Sequence, residues 1–133
     1  MGKRSTARRL AMQLIFQLDS GGQLTDEQKE YFLKNEAATA SAKNTARLLV
    51  SGLESHLAEI DRLIKKHSQN WPLERISRTD LAILRLAFYE LAFLKETPEK
   101  VIINEALELS KRFSTEDSFA FINGVLDGYI KGK

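Results

Sequence analysis

The stretch Leu81–Leu94, which runs LAILRLAFYELAFL, decides the fold of this chain. A helix built from these residues is apolar on every side, so it must lie buried at the centre of a helical bundle. Two charged residues interrupt the stretch, Arg85 and Glu90. A buried charge needs a partner, and Arg85 is poorly spaced to pair with Glu90. Two interpretations of Glu90 are open: an internal ion pair, or a charge met by a basic binding protein.

Helix signals continue on both sides of this central helix. Ser77 is predicted to cap its start, after Trp71-Pro72 has ended the preceding element. Beyond its end, Thr97 is predicted to cap a helix that begins at Pro98. That helix ends near Phe113, and Ser114 or Thr115 caps the last helix.

The first half of the chain is also helical. Apolar spacing predicts a helix over 6–18, a capped helix over 26–34, a linker over 35–40 and a long helix over 41–67. Gly21-Gly22 breaks the first helix, and Thr25 with Gln28 forms a capping box for the second. Gly52 either bends the long helix or permits close packing.

These elements predict an all-α fold of six or seven helices without a strand. A length of 133 residues fits one domain. The seam at Trp71 divides this single domain, 1–133, into sub-bundles of roughly 1–70 and 71–133.

Composition narrows the class of protein. The chain has a net charge of only +2 and no cysteine. It shows neither a membrane span nor a secretory signal. Because it also lacks cysteine, we expect a cytoplasmic protein. Residues 1–9 contain four basic side chains and no acid. This basic start is interpreted either as a nucleic-acid footprint or as an ordinary solvated helix start.

No catalytic constellation is visible in the sequence. There is no glycine-rich phosphate loop and no zinc-binding helix motif. His56 and His67 would lie ~16 Å apart on the predicted long helix, too far for one metal. We therefore predict a protein that is not an enzyme and that needs no metal or cofactor.

The first helix carries candidate RNA-binding residues. Arg9, Gln13 and Phe16 project to one side, and Arg4 and Arg8 form a pair nearby. Guanidinium groups bind phosphate bidentately and an exposed aromatic ring stacks on an unpaired base, which favours single-stranded RNA. Alternatively, Phe16 simply widens the apolar stripe of the core.

The last helix carries a candidate protein-binding face. Asn123 and Asp127 are neighbours on it, beside the small residues Ala120 and Gly124. Small residues let a partner backbone approach closely. Close packing inside the domain is an equally open interpretation.

An ordered set of motifs extends through the chain. They are Ala7-Arg8, Gln13-Leu14, Ile83-Leu84-Arg85, Tyr89-Glu90-Leu91, Ile103-Asn104-Glu105-Ala106, Glu108-Leu109, Lys111, Phe113 and Phe121-Ile122-Asn123-Gly124-Val125-Leu126-Asp127. In this order the chain resembles the NusB family of bacterial transcription antitermination factors.

The resemblance implies two three-helix sub-bundles and a function. NusB-like proteins bind the boxA element of nascent RNA together with the ribosomal protein NusE, and they act with RNA polymerase and other Nus factors on ribosomal RNA operons. It implies RNA contacts at Arg4, Arg8, Arg9, Gln13, Phe16, Arg85, Lys111 and Asn123. It implies NusE contacts at Glu90 and Asp127.

Two alternatives remain open beside this interpretation. One is an accessory RNA-binding module that acts with a separate ribosomal RNA methyltransferase. The other is a helical adaptor that does not bind RNA. The sequence leaves open whether the protein is a monomer or a homodimer.

Overall fold

A computed structural model describes residues 3–18, 23–69 and 71–132. The described residues form seven α-helices, a short 3₁₀ turn and a π-helical segment, with no strand among them, so the predicted all-α fold is confirmed. The helices are α1 (Lys3–Phe16), α2 (Asp26–Lys34), α3 (Ala40–Ser55), α4 (Leu57–His67), α5 (Arg78–Phe88), α6 (Glu99–Phe113) and α7 (Glu116–Lys131). The 3₁₀ turn spans Leu73–Arg75, and the π-helical segment spans Tyr89–Leu94.

Most of the predicted helix starts are confirmed by their cap geometry. Thr25 and Gln28 form the expected capping box at α2, while Ser77 and Thr115 accept backbone hydrogen bonds at the starts of α5 and α7. The predicted Thr97 cap is wrong. Pro98 itself occupies the cap position of α6 without a side-chain hydrogen bond. The Gly21-Gly22 break lies outside the described residues.

The predicted long helix over 41–67 is wrong, because the chain breaks at His56 into α3 and α4. Gly52 does not cause this break. Its Cα faces the ring of Tyr89, and a Cβ added to Gly52 would lie 2.6 Å from Cζ of that ring. Gly52 therefore permits the close packing that the sequence left as an alternative.

The central helix is buried as its sequence predicts, but it changes form along its length. Every residue from Ala82 to Leu91 is buried. After Phe88 the backbone widens into the π-helical segment, and the amide of Lys95 donates to the carbonyl of Glu90 at 3.0 Å. Lys95 then ends the segment in the left-handed region, with φ of 56°.

One hydrophobic core joins all seven helices around α5. The central helix packs against α1, α4, α6 and α7, and α1 packs in turn against α3. Since α4 packs mainly on α5 and α7, its contacts lie across the predicted boundary at residue 70. The arrangement leaves one side of α1 and one side of α7 on the surface.

Candidate nucleic-acid and protein interface

The outward side of α1 carries polar, cationic and aromatic groups together. Arg4 is exposed, Arg9 and Gln13 are partly buried, and the Phe16 side chain is 40% exposed. Arg9 donates from Nη1 to the Gln13 amide oxygen at 2.8 Å. Phe16 therefore lies at the rim of the core, where part of its ring is accessible.

A groove with aromatic walls lies beside Phe16. Its volume is about 430 Å³, and its lining residues are Met12, Gln13, Phe16, Gln17, Phe32, Thr79 and Phe113. The Arg78 guanidinium lies 4.7 Å from the centre of the Phe16 ring and donates to the Phe16 carbonyl at 2.6 Å. Flat apolar walls and amide edges of this kind suit an unstacked nucleobase.

A second groove separates α1 from the C-terminal half of α6. Its volume is about 240 Å³, and its lining residues are Ser5, Arg8, Arg9, Glu105, Glu108, Leu109, Lys111 and Arg112. Lys111 and Arg112 are exposed, and their cationic groups lie 5.4 Å and 5.1 Å from the ring centres of Phe119 and Phe113 respectively. The two grooves make one cationic and aromatic face, which we call the α1–α6 face.

Sequence reasoning missed Arg78, Arg112 and Phe113 as parts of this face. Arg78 opens α5 and Phe113 closes α6, so tertiary packing alone brings them beside Phe16. Phe113 is one of the residues that carry the resemblance to the NusB family, although no spacing in the sequence relates it to Phe16.

Arg8 and Glu90 are each other's partners in the interior. Arg8 donates from Nε and Nη2 to the two Glu90 carboxylate oxygens at 2.8 Å each, with both residues buried. Nη1 reaches Glu105 at 3.3 Å, and Nη2 reaches the Thr97 hydroxyl at 3.3 Å. Hydrogen bonding to Glu90 raises the pKa of the Arg8 guanidinium above its ordinary value.

This geometry corrects two expectations about the site. The interpretation that Glu90 needs a charge from a binding protein is wrong, because Arg8 supplies that charge from 82 positions away. Arg8 lines the groove between α1 and α6, but it is buried and both donors of its bidentate edge are bound to Glu90, so that edge is not available to RNA. The reason is sequence distance: no local spacing relates the two residues.

Arg85 is also engaged internally rather than on a surface. It is buried and donates from Nε and Nη2 to the Asp61 carboxylate of α4, at 2.9 Å for each bond. Since α5 is surrounded by other helices, Arg85 is neutralised by the carboxylate that α4 places against it. The expected RNA contact at Arg85 is therefore not supported by this geometry.

The outward side of α7 forms a different surface from the one that contains Phe16. Asn123 and Asp127 are exposed, and Asp127 pairs with Lys131 at 3.0 Å. A Cβ added at Gly124 would meet nothing within 4 Å, so close packing inside the domain is wrong for this residue. Asn123 and Asp127 share this side of α7, whereas Glu90 does not lie there.

An open groove runs between α7 and the end of α4. Its volume is about 510 Å³, and its lining residues are His67, Ser68, Gln69, Trp71, Ala120, Phe121, Gly124, Val125 and Gly128. Trp71 is 47% exposed at its edge. We call this surface the α7 groove. Burial lowers the pKa of His67 below its ordinary value of 6.5, with a further contribution from Lys66.

Two other kinds of feature are absent from the described residues. Among residues 3–18, 23–69 and 71–132, no group of three or more His, Cys, Asp or Glu side chains is arranged to hold a metal ion. No helix in the described part of the chain is long and apolar enough to cross a membrane.

A helical bundle with a cationic, aromatic face and a separate open groove defines an all-α binding protein. A family model described as "NusB family" matches residues 5–131. Together with relatives more than 40% identical over nearly the whole chain, this match shows that the chain belongs to the NusB family.

Three similar proteins illustrate the match. The Transcription antitermination protein NusB of Myxococcus xanthus is 44% identical over 131 residues, which cover 96% of this chain and 94% of that protein. A solved structure of T. maritima NusB is 35% identical with a TM-score of 0.82, covering 96% of this chain and 90% of that one. A structure of the antitermination factors NusB and NusE in complex with dsRNA is 29% identical, with a TM-score of 0.85 and 98% coverage of each chain.

Proposed function

We propose that this protein is a transcription antitermination factor that binds boxA RNA cooperatively with the ribosomal protein NusE. It acts in the cytoplasm without catalysing a reaction, as one part of an RNA polymerase elongation complex with other Nus factors. Family membership supports this role. The observation that carries it is the α1–α6 face, where an accessible Phe16 ring lies among the cations Arg9, Arg78 and Arg112.

RNA binds along the α1–α6 face. A base enters the groove between Phe16 and Phe113, while Arg4, Arg9 and Lys111 meet phosphates on either side. Arg9 and Lys111 each have an acidic neighbour, Glu36 and Glu108 respectively. The net positive field is consequently small, so RNA affinity is low for the protein alone and falls with salt.

NusE binds in the α7 groove. The small side chains at Ala120 and Gly124 leave room for a partner backbone, and Trp71 with Phe121 supplies apolar area at the edges. Asn123 and Asp127 offer polar contacts along the same helix. A basic partner bound there adds a second RNA-contacting surface, which raises RNA affinity through thermodynamic linkage.

Fluorescence anisotropy of a labelled single-stranded boxA RNA tests the proposed function. The protein is titrated with and without NusE, against a scrambled strand and against a boxA duplex. We expect tighter binding of the single boxA strand when NusE is present, and a loss of that binding in Phe16→Ala. Binding that ignores both RNA sequence and NusE would reject the proposal, and a preference for the duplex would reject base insertion beside Phe16.

A second experiment tests the position of NusE. Gly124→Leu should weaken NusE binding at least tenfold, because the added side chain fills the α7 groove. The fold should tolerate it, since nothing lies within 4 Å of the new Cβ. Ser51→Leu, on the exposed side of α3, is the matched control for adding a leucine to a helix surface. Equal NusE affinity in both variants would place the partner elsewhere.

A further inference from the structure

The second helix, α2, has little apolar attachment to the rest of the protein. Of its nine residues, Lys29 and Leu33 are buried, and Phe32 is half-buried against the core. Leu33 is thus the single apolar side chain of α2 that is fully inside. A helix of this length is marginal in water by itself, so contacts with other helices must hold it.

A buried ion pair fixes the inner side of α2 to α3. Lys29 donates from Nζ to a carboxylate oxygen of Glu54 at 2.8 Å, and both side chains are buried. The other Glu54 oxygen accepts from the amide of Leu24 at 2.7 Å, just ahead of the helix. Because both charges lose water on burial, such a pair holds α2 less firmly than an apolar contact of similar size.

Two further ion pairs lie on the outer side of α2 and just after it. Glu30 accepts from Nε and Nη2 of Arg47 in α3, at 2.7 Å or less, on the protein surface. Glu36, two residues after α2, accepts from Arg9 of α1 at 3.0 Å, and both side chains are partly exposed. Exposed pairs of this kind contribute little to stability and weaken as salt is added.

The same helix forms one wall of the groove beside Phe16. Phe32 lines that groove together with Met12 of α1 and Phe113 of α6. Outward movement of α2 withdraws the Phe32 ring, and it also separates Glu36 from Arg9. The groove of about 430 Å³ therefore widens when α2 leaves its place.

We propose that α2 is a lid on the groove beside Phe16, which opens as a unit while the other helices stay folded. The opening is a rare excursion under native conditions, so overall unfolding remains one transition. The opening itself does not depend on the proposed function. That the lid closes over RNA does rest on the proposed function.

Hydrogen exchange of backbone amides at low urea concentrations measures the opening. In the original protein, the hydrogen-bonded amides of α2 should be at least tenfold less protected than those of α5. Their exchange should depend little on urea, because opening α2 exposes little surface, whereas exchange in α5 should depend on it steeply. Equal protection and equal urea dependence in the two helices would overturn the lid.

A substitution far from α2 separates its opening from overall unfolding. Ile122→Val removes one methyl group from the fully buried side of α7, so exchange in α5 should become about fivefold faster. Exchange in α2 should stay the same, because the open form still contains a folded α7. An equal rise in both helices would show that α2 opens only when the whole protein unfolds.

The ion pairs are tested by the same measurement. Glu54→Ala should make exchange in α2 at least tenfold faster, because the closed helix then buries an unpaired Lys29. Arg47→Ala removes an exposed pair and should make it about threefold faster. Lys131→Ala, which removes the cation of an exposed pair on α7, is the matched control and should leave exchange in α2 unchanged. Exchange in α2 that is the same in Glu54→Ala as in the original protein would overturn attachment by ion pairs.

Saturating boxA RNA and NusE test what the lid covers. A base held in the groove contacts Phe32, so exchange in α2 should become at least fivefold slower. If RNA binds and exchange in α2 does not change, the lid does not close over RNA. If RNA fails to bind, the proposed function is rejected, whereas exchange in the free protein still decides whether α2 is a lid.

Discussion

Arg8 and Arg9 are adjacent in the chain and have opposite environments. Successive residues on a helix point about 100° apart, so Arg8 turns toward α5 and Arg9 turns toward the linker after α2. Arg8 is paired with Glu90 and Glu105, whereas Arg9 is paired with Glu36 on the outward side of α1. A count of basic residues on α1 therefore overstates the charge available to RNA.

Removing one member of the buried Arg8–Glu90 pair should destabilise the fold. Glu90→Ala leaves the Arg8 guanidinium buried with only its longer contacts to Glu105 and to the Thr97 hydroxyl, at 3.3 Å each. We expect the free energy of unfolding to fall by about 3–5 kcal/mol, measured by urea denaturation. Glu30→Ala removes the partner of Arg47 at the surface and should leave stability almost unchanged. Equal effects of the two substitutions would contradict the assignment of Glu90 to the interior.

His67 makes stability depend on pH in a direction that its pKa fixes. Burial lowers the pKa of the folded-state imidazole below 6.5, so the unfolded chain takes up the proton first as pH falls. The folding stability that is linked to His67 is therefore complete above pH 6.5. It is lost as the pH falls toward the lower pKa that His67 has in the folded state. The urea midpoint should change more between about pH 7.5 and about pH 5.5 in the original protein than in His67→Gln. The same change in both proteins would show that His67 is not the source of the pH dependence.

At the scale of elements, the contact between α3 and the π-helical segment is set by one glycine. Gly52→Ala places a methyl group against the buried ring of Tyr89, which must move. Overpacking of this kind should lower the free energy of unfolding by about 1–3 kcal/mol. Gly128→Ala meets nothing within 4 Å and should raise it by up to about 1 kcal/mol, since alanine favours a helix. Thermal and urea unfolding of both variants measure the difference.

Helix starts were predictable because their chemistry is local. Thr25, Ser77 and Thr115 each satisfy an amide three residues ahead, a relation contained in the sequence itself. The break at His56 and the widening after Phe88 were not predictable in the same way. Neither follows a proline, and both lie at contacts between distant segments: His56 stacks on Phe93, and Tyr89 packs against Gly52.

The residues of the candidate site also divide into those that local spacing predicts and those that it does not. The exposed side of α1, with Arg9, Gln13 and Phe16, follows from helical spacing, as does the open side of α7 at Asn123 and Asp127. The pairing of Arg8 with Glu90 and of Arg85 with Asp61 does not, because the partners lie far apart in the sequence. The predicted outward side of α1 is therefore confirmed as a surface, whereas Arg8 and Arg85 are buried and paired. RNA contact at Arg9, Gln13 and Phe16 stays a prediction.

At the scale of the whole molecule, α5 makes the two halves interdependent. Leu84 and Phe88 belong to the same continuous core as Leu14 of α1 and Ile122 of α7. Two independent sub-bundles would each need a core of their own, which this packing does not provide.

We therefore expect a single cooperative unfolding transition. The one tryptophan, Trp71, lies between α4 and α5, so its fluorescence reports on that junction, while far-ultraviolet circular dichroism reports on all helices. The two urea curves should have the same midpoint and slope. Fluorescence that changes well before circular dichroism would show that the halves unfold separately.

The pairing of Arg8 with Glu90 and Glu105 also has a consequence for synthesis. The first helix leaves the ribosome long before its partners, because 82 residues separate Arg8 from Glu90. At about 5–20 residues per second this interval is roughly 4–16 s. Throughout it, the cationic segment that becomes α1 lacks α5 to bury its apolar side. A chain interrupted before Glu90 therefore lacks the carboxylate that neutralises Arg8 in the folded protein.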